Sequence, residues 1–418
     1  MGKTITEKII ERAAGKKIHT GEFVRISLGN LVLGSLPVKE LEELGVKKAF
    51  DPQKVKIVLG GHDYCLPHNL KMRRSTMQTA RELGIPRGNI MDIGEGGEEH
   101  DVSIEHGWPL PGTVYLCGID GQTPMNGALG CVAEPLAHGA NEIVAATITG
   151  KSWIHVPPSI KINLTGTLQN GVTARDVSEY ALGKIGSSGA LGSMIEWTGP
   201  AIGEMSLAGR IAICCHSAFT GAFSGIVNPD QKTTDFVKSR TEDTFDPVTS
   251  DADATYEKTR NFDVSSIEPQ VGIPPKRHIV KSIKEVEGKK VDRGFIGSCA
   301  NGRLEDLQIA AKILKGRKVH PDVHLNITPN STENYKLALR EGLIETFIEA
   351  GALVPAPCCG MCVGYVTPLV GDEVCVSTST CNYSGRMGSE EADIFLASPA
   401  TVAASCVEGK FADPRKFV

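Results

Sequence analysis

The 418-residue sequence lacks several features that would assign it to common classes of protein. No apolar run is long enough to span a bilayer, and the amphipathic start with its mixed charge lacks the apolar core of a signal peptide. There is no internal repeat, and positive charge is not in excess, since 44 Lys and Arg face 49 Asp and Glu. Clustered positive charge is what nucleic-acid binding requires. We therefore expect a cytoplasmic protein that uses neither a membrane nor a nucleic acid as a partner.

Cysteine, by contrast, is abundant, with twelve residues that are unevenly distributed. In a reducing compartment these are expected to be free thiols, metal ligands or small buried side chains rather than disulfides. Cys214 and Cys215 are adjacent in an apolar helical pattern, and neighbours on a helix point about 100° apart. Only one of these two thiols can therefore face any given site.

The alternation of short apolar runs with helical patterns predicts an α/β protein with parallel or mixed sheets. We expect three units, covering 1–155, 156–285 and 286–418. Predicted strands cover 55–61, 112–120, 158–168, 291–299, 322–329 and 373–380. Predicted helices cover 137–153, 174–185, 203–225, 304–315 and 335–351, and the polar segment 231–290 is expected to be mostly irregular.

The strongest chemical signal is a set of three cysteines in the third unit. Cys299 lies in Gly-Ser-Cys-Ala-Asn-Gly-Arg (297–303), and Cys359 and Cys362 form a Cys-x-x-Cys pair sixty residues later. Iron–sulfur clusters are held by thiolates, usually four, so three would leave one iron open to act as a Lewis acid. A dithiol redox pair or half of a zinc site is the alternative. No second Cys-x-x-Cys and no histidine at zinc-finger spacing supports it.

Around these cysteines the sequence resembles a known family. GSCANGRLEDL, the Cys-x-x-Cys pair, VCVSTSTCNYSGRMG (374–388) and ASPATVAASCVEGK (397–410) are similar to the aconitase-like hydro-lyases, in particular to the large subunit of isopropylmalate dehydratase. The resemblance implies a three-domain α/β fold around a cleft with a [4Fe-4S] cluster on Cys299, Cys359 and Cys362. It also implies a small hydroxy-acid substrate and a separate small subunit of the swivelling-domain type.

The resemblance carries the family's catalytic residues over only in part. His62 is retained, but Gly61 stands where the family has the aspartate that orients this histidine. His100 matches a second family histidine. Asp120 is retained from an Asp-Ser-His motif that reads Asp-Gly-Gln here. His62, His100 and Asp120 are thus the predicted proton-handling residues, with structural histidines as the alternative for the first two.

The substrate-binding positions show the largest departures. Cys215 replaces a family asparagine, Phe219 a glutamate close to the open iron, and Thr380-Cys381 an Asn-Arg pair, whereas Arg386 is retained. An arginine grips a carboxylate with a fork of donors, so its loss predicts a substrate with fewer or differently placed carboxylates. The predicted substrate-binding residues are Arg386, Ser379, Arg303, Gln122, Phe219, Cys381 and Cys215.

Two interpretations of the site remain open from the sequence. In the first, the protein is a hydro-lyase that dehydrates or isomerises an altered hydroxy acid. In the second, an extra thiolate caps the fourth iron, which would give a sulfur-handling or non-catalytic cluster protein, since iron–sulfur centres accept soft ligands. A partner subunit with a purely structural cluster is a third alternative.

Overall fold

The computed structural model describes residues 2–59, 67–118, 121–135 and 140–418. Within them the strands, numbered along the chain, are β1 Phe23–Ser27, β2 Leu31–Leu33, β3 Val55–Val58, β4 Ile90–Met91, β5 Val114–Cys117, β6 Val132–Pro135, β7 Lys151–His155, β8 Ser159–Thr165, β9 Met194–Thr198, β10 Ser224–Val227, β11 Lys258–Asp263, β12 Gln270–Gly272, β13 Val280–Ser282, β14 Arg293–Ile296, β15 His324–Ile327, β16 Val374–Ser377 and β17 Asp393–Leu396. The α-helices are α1 Ile5–Ala14, α2 Val38–Glu43, α3 Pro67–Glu82, α4 Glu99–Glu105, α5 Ala140–Thr149, α6 Ala174–Ile185, α7 Pro200–Glu204, α8 Leu207–Cys215, α9 Gln231–Lys238, α10 Leu304–Leu314, α11 Thr332–Arg340, α12 Leu343–Ala350 and α13 Pro399–Glu408.

The strands form three main sheets, each made of strands that follow one another along the chain. The first has the order β4-β3-β2-β5-β6 and the second β10-β9-β8-β11, and all their pairs are parallel. The third, β13-β12-β17-β16-β14-β15, is parallel except for the two pairs that β12 makes. A separate antiparallel pair joins β1 and β7. The predicted α/β class with parallel and mixed sheets is confirmed.

Three large apolar cores accompany these sheets. The first gathers side chains of α1 with those of the first sheet, the second those of α6 and α8 with the second sheet, and the third those of α10 and α13 with the third sheet. Cys299 and Ala300 of the third unit pack into the second core. The loop after β14 is therefore anchored where two cores meet.

The start of α6 ties the second part of the chain to the third sheet. Thr173 and Asp176 form a capping box, in which Asp176 Oδ2 accepts from the Thr173 amide at 2.8 Å. The other oxygen, Oδ1, accepts from the Gln270 amide of β12 at 2.9 Å. Because one carboxylate binds both segments, the first turn of α6 and the start of β12 are held together.

Several predicted elements are shorter than their sequence patterns. The helix predicted over 137–153 is the shorter α5, after which the chain forms β7. This strand pairs with β1 so that Ile154 lies opposite Val24. The run 203–225 contains α8, a short 3-10 turn at Ser217–Thr220 and then β10. The segment 231–290 contains α9 and three strands that the sequence pattern did not predict, whereas 239–257 between them is irregular as expected.

The three-unit division remains a prediction. β12 and β13 belong to the third sheet although the predicted boundary falls at 285. Among the described residues, no helix combines the length and apolar character that crossing a membrane requires.

Candidate functional site

The three predicted cluster cysteines lie in two tight loops. Cys299 follows β14 by three residues, after Ser298, which has a positive φ of 70°. Cys359 immediately precedes a 3-10 turn, Gly360–Val363, that contains Cys362, and the Cys362 amide donates to the Cys359 carbonyl at 3.1 Å. The three cysteines are 4–5% exposed. The pair does not follow a named strand directly but comes after α12 and the isolated bridge between Asn326 and Leu353.

A glycine is required inside the Cys-x-x-Cys turn. Gly360 has φ 55°, and a Cβ there would lie 2.9 Å from Thr328 Oγ1, just beyond β15. Left-handed backbone is strained for any residue with a side chain, and this contact adds to the strain. The turn therefore packs directly against the third sheet.

Both thiol loops meet one segment of the first part of the chain, Glu98–Asp101 at the start of α4. The Cys359 thiol donates to Glu98 Oε1 at 3.0 Å. Arg303 bridges to the other loop, because its Nη2 lies 2.6 Å from the Cys299 carbonyl and 2.7 Å from Asp101 Oδ1. The Glu98 amide also donates to the Asn330 carbonyl at 2.7 Å. Both cysteine loops thus contact the same segment, Glu98–Asp101, which forms a shared wall of the candidate site.

Two buried carboxylates accompany Cys359 at this wall. One oxygen each from Glu98 and Glu99 lies within 4.8 Å of the Cys359 sulfur and of one another. Burial, followed by the charges of these carboxylates, raises the pKa of the Cys359 thiol well above its usual value. The neutral thiol is the stable form here, and a bound iron would displace its proton.

The thiol set fits an iron–sulfur cluster. Cys299, Cys359 and Cys362 are all buried, and they lie in two loops that converge on the start of α4. Thiolates are the donors that hold such clusters. The oxygen donors of Glu98 and Glu99, which lie beside Cys359, would suit a harder ion.

His100 lies within α4. It is fully buried, and its Nδ1 lies 3.8 Å from Cys117 Sγ at the end of β5. His62 and Asp120 lie outside the described residues. The joint proton-handling role of these three residues therefore stays a prediction.

Arg386 reaches the Cys-x-x-Cys pair. Its Nη2 lies 3.7 Å from Cys362 Sγ, and its guanidinium carbon lies 5.9 Å from the centre of the Tyr383 ring. Cys381, half-buried in the same loop, interacts electrostatically with both Arg386 and Cys362. Burial raises the pKa of the Cys381 thiol, although the neighbouring cations oppose that shift.

Ser379 is connected to the candidate site through its main-chain carbonyl. Its carbonyl accepts from Arg175 Nη2 at 2.9 Å, and its hydroxyl donates to the Cys381 carbonyl at 3.1 Å. Arg175 also donates to Asn301 Oδ1 at 2.9 Å, within the Cys299 loop. One fully buried arginine therefore holds the loops of Cys299 and Cys381 together.

The adjacent cysteines of α8 face different ways, as expected. Cys215 interacts electrostatically with Arg175 and Arg303, at the wall of the cysteine loops. Cys214 is close to Cys131 and Arg210 instead, and burial raises its thiol pKa well above the usual value. Cys215 is thus the thiol of the pair that borders the candidate site.

Phe219 borders a charged cluster that sequence reasoning missed. Arg175 and Arg277 both donate to the carboxylate of Glu179, and all three side chains are at most 12% exposed. The Arg277 guanidinium carbon lies 4.8 Å from the centre of the Phe219 ring. The spacing of Arg175 and Glu179 on α6 was a local signal for an ion pair, but nothing local linked them to Arg277.

Gln122 is half-buried and immediately precedes the 3-10 turn Thr123–Leu129, which packs against α8. Its contribution to substrate binding stays a prediction.

Comparison with known proteins defines the class. The family model described as "Aconitase family (aconitate hydratase)" matches residues 67–287 and 276–409. The chain therefore belongs to the aconitase family.

Individual relatives agree over the full length. The chain is 40% identical over 425 residues to the 3-isopropylmalate dehydratase large subunit 1 of Methanopyrus kandleri, covering 100% of both chains. It is 39% identical over 428 residues to the 3-isopropylmalate dehydratase large subunit of Moorella thermoacetica, again over 100% of both. The crystal structure of Thermococcus kodakaraensis aconitase X (holo-form) gives a TM-score of 0.47 at 12% identity, over 85% of this chain and 84% of that one. The predicted family membership is confirmed.

Proposed function

We propose that this chain is the large, catalytic subunit of a [4Fe-4S]-dependent hydro-lyase that dehydrates or isomerises a small hydroxy acid. The observation that carries the proposal is the convergence of the Cys299 loop and the Cys359–Cys362 turn on α4, through Arg303 and Glu98. The full-length similarity to proteins named as large subunits supports a separate small subunit as the partner.

Cys299, Cys359 and Cys362 would hold the cluster, which when bound supplies a Lewis acid for a substrate hydroxyl. The chain's own residues bind and orient the substrate. Arg386, beside Cys362, offers a planar fork of donors for a carboxylate. We assign His100 a proton-handling role, together with His62 and Asp120 on the strength of the family resemblance.

The substrate is proposed to differ from the usual family substrates. Phe219 and Cys381 line the candidate site where the family resemblance expects a glutamate and an arginine. Replacing these charged groups makes the pocket less polar and moves the position at which a carboxylate can be held.

A second candidate function rests on Cys381. This thiol interacts electrostatically with Cys362 and lies in the loop of Arg386, whose Nη2 is 3.7 Å from Cys362 Sγ, so Cys381 is a candidate fourth ligand. A capped cluster would have no open iron, and the protein would then be a sulfur-handling or non-catalytic iron–sulfur protein.

Anaerobic purification with iron and sulfide analysis, followed by EPR before and after mild oxidation, separates these functions. The hydro-lyase predicts a three-iron signal on oxidation, and it predicts that Cys299→Ala, Cys359→Ala and Cys362→Ala each lose most of the iron. Cys406→Ala, which removes a buried thiol from the third core, is the control and should retain the iron.

A four-iron cluster that resists oxidation would instead support the capped form, and Cys381→Ser and Cys215→Ser would identify the fourth ligand. Absence of iron after anaerobic reconstitution would contradict both candidate functions. With the cluster established, hydroxy acids are screened in the presence of the small subunit.

A further inference from the structure

Arg277 lies on the connection between β12 and β13, outside the cysteine loops, yet its guanidinium borders the candidate site. Its Nε donates to the Thr380 carbonyl at 2.9 Å, one residue before Cys381, with which it also interacts electrostatically. The guanidinium carbon lies 4.8 Å from the centre of the Phe219 ring. Arg277 therefore contacts both segments in which charge is missing relative to the family resemblance.

The charges around Arg277 do not balance. Its two Nη atoms donate to Glu179, and Arg175 Nε donates to the same carboxylate at 2.7 Å. Two guanidinium groups thus share one carboxylate, with side-chain exposures of 0% for Arg175 and Glu179 and 12% for Arg277. A buried excess of positive charge is costly unless an anion accompanies it, so this cluster favours anion binding.

Arg277 also has N–H groups with which it can bind a ligand. A guanidinium carries five N–H groups, and the bonds to Thr380 and Glu179 use three of them. Phe219 covers one face of the guanidinium plane, which fixes its orientation and leaves the donors at its edge. The group is preorganised to bind a carboxylate.

We propose that Arg277 is a substrate-binding residue that holds one carboxylate of the substrate, replacing the cation expected at position 381. The inference rests on the proposed function for the identity of the ligand as a substrate. Because this cation comes from a different loop from the one it replaces, Arg277 and Phe219 together determine which hydroxy acids fit.

The test measures binding as well as turnover, with the cluster-loaded chain and its small subunit. Calorimetry gives the Kd of methylsuccinate, an unreactive dicarboxylate, and of isobutyrate, a monocarboxylate that Arg386 alone can hold. Arg277→Gln is expected to weaken methylsuccinate binding by about 10- to 100-fold, the usual effect of losing a charge-assisted hydrogen bond. Isobutyrate binding is expected to change by less than about twofold.

Lys276→Gln is the matched control, since it removes the same charge from the exposed neighbouring residue and should bind both acids as the wild type does. Arg277→Lys keeps the charge opposite Glu179 but loses the fork, so we expect an intermediate loss for methylsuccinate. It also provides the test if Arg277→Gln does not fold, as judged by iron content and circular dichroism.

The inference is overturned if both folded Arg277 variants bind methylsuccinate like Lys276→Gln, if the two acids weaken equally, or if the wild type binds neither. Arg277-dependent binding of methylsuccinate without turnover of any hydroxy acid would support the inference and contradict the proposed function. Turnover of a hydroxy acid that is unaffected in Arg277→Gln would support the proposed function and contradict the inference.

Discussion

Glu105, the last residue of α4, is half-buried, and the pKa of its carboxyl group is raised to about 8, chiefly because removal from water disfavours the charged form. Ser331 Oγ and Asn334 Nδ2 donate hydrogen bonds to its Oε1. The ordinary pKa is 4.5, so between pH 4.5 and about 8 the folded protein binds one proton more than the unfolded chain. The stability that this group contributes therefore falls as the pH rises through that window.

Glu105→Gln keeps the shape of the neutral side chain and removes its titration. Between pH 6 and 7.5 we expect the free energy of unfolding of the wild type, relative to this variant, to decrease by about 1.4 kcal/mol per pH unit. Urea unfolding at several pH values measures the difference. Glu42→Gln, at an exposed position, should keep the wild-type slope, and the same slope in Glu105→Gln would contradict the raised pKa.

The candidate site could be predicted only where its signals are local in sequence. Cys299, Cys359 and Cys362 were found because spacing and glycine-rich turns are local patterns. Arg277 was missed because its partner Glu179 is 98 residues away, and a pairing of that range leaves no trace in either segment. An i,i+4 Arg–Glu pair on a helix is usually exposed, whereas here Arg175 and Glu179 are fully buried.

At the scale of elements, the apolar run 335–351 predicts one helix, and the structure divides it into α11 and α12 at Gly342, which has φ 72°. The helical periodicity continues through the break, so pattern alone does not reveal it. Gly351, the C-cap of α12, has a left-handed φ of 96°, as glycines that end helices commonly do. Periodicity thus predicted the presence and type of most elements, but the boundaries depend on single glycines and on strand pairing.

Gly342→Ala tests the cost of that break. A Cβ at Gly342 would meet nothing within 4 Å, so the cost is the backbone strain of the left-handed conformation, about 1 kcal/mol of unfolding free energy. Gly203→Ala is the control, since Gly203 lies in α7, has no positive φ and likewise has open space around its Cα. There we expect a small gain in stability, because alanine favours helix. Equal effects of the two substitutions in urea unfolding would contradict the strain at Gly342.

At the scale of the whole molecule, the irregular segment 239–257 connects the N-terminal helix to the second sheet. Ser250 Oγ accepts from the Ile5 amide at 2.7 Å, and Asp251 Oδ2 accepts from the Lys3 amide at 2.8 Å. The Ser250 hydroxyl also donates to Glu196 of β9, at 2.8 Å from Oε2. The composition of this segment is that of a polar linker, yet hydrogen bonds attach it to the N-terminal helix on one side and to β9 on the other. Composition alone does not distinguish an attached segment from a free linker.

Glu196 is the buried acceptor on which this arrangement depends. Besides Ser250, Asn228 Nδ2 and Tyr256 Oη donate to its carboxylate, at 2.6 and 3.0 Å. Glu196→Ala would leave these donors partly buried without an acceptor, so we expect a loss of about 2–4 kcal/mol in unfolding free energy. Faster proteolysis within 239–257 should accompany it, since the segment loses its attachment to β9. Glu242→Ala, an exposed glutamate of the same segment, should change stability by less than about 0.5 kcal/mol and leave the proteolysis rate unaltered. If both variants were cleaved at the wild-type rate, the attachment through Glu196 would not be what holds the segment against the N-terminal helix.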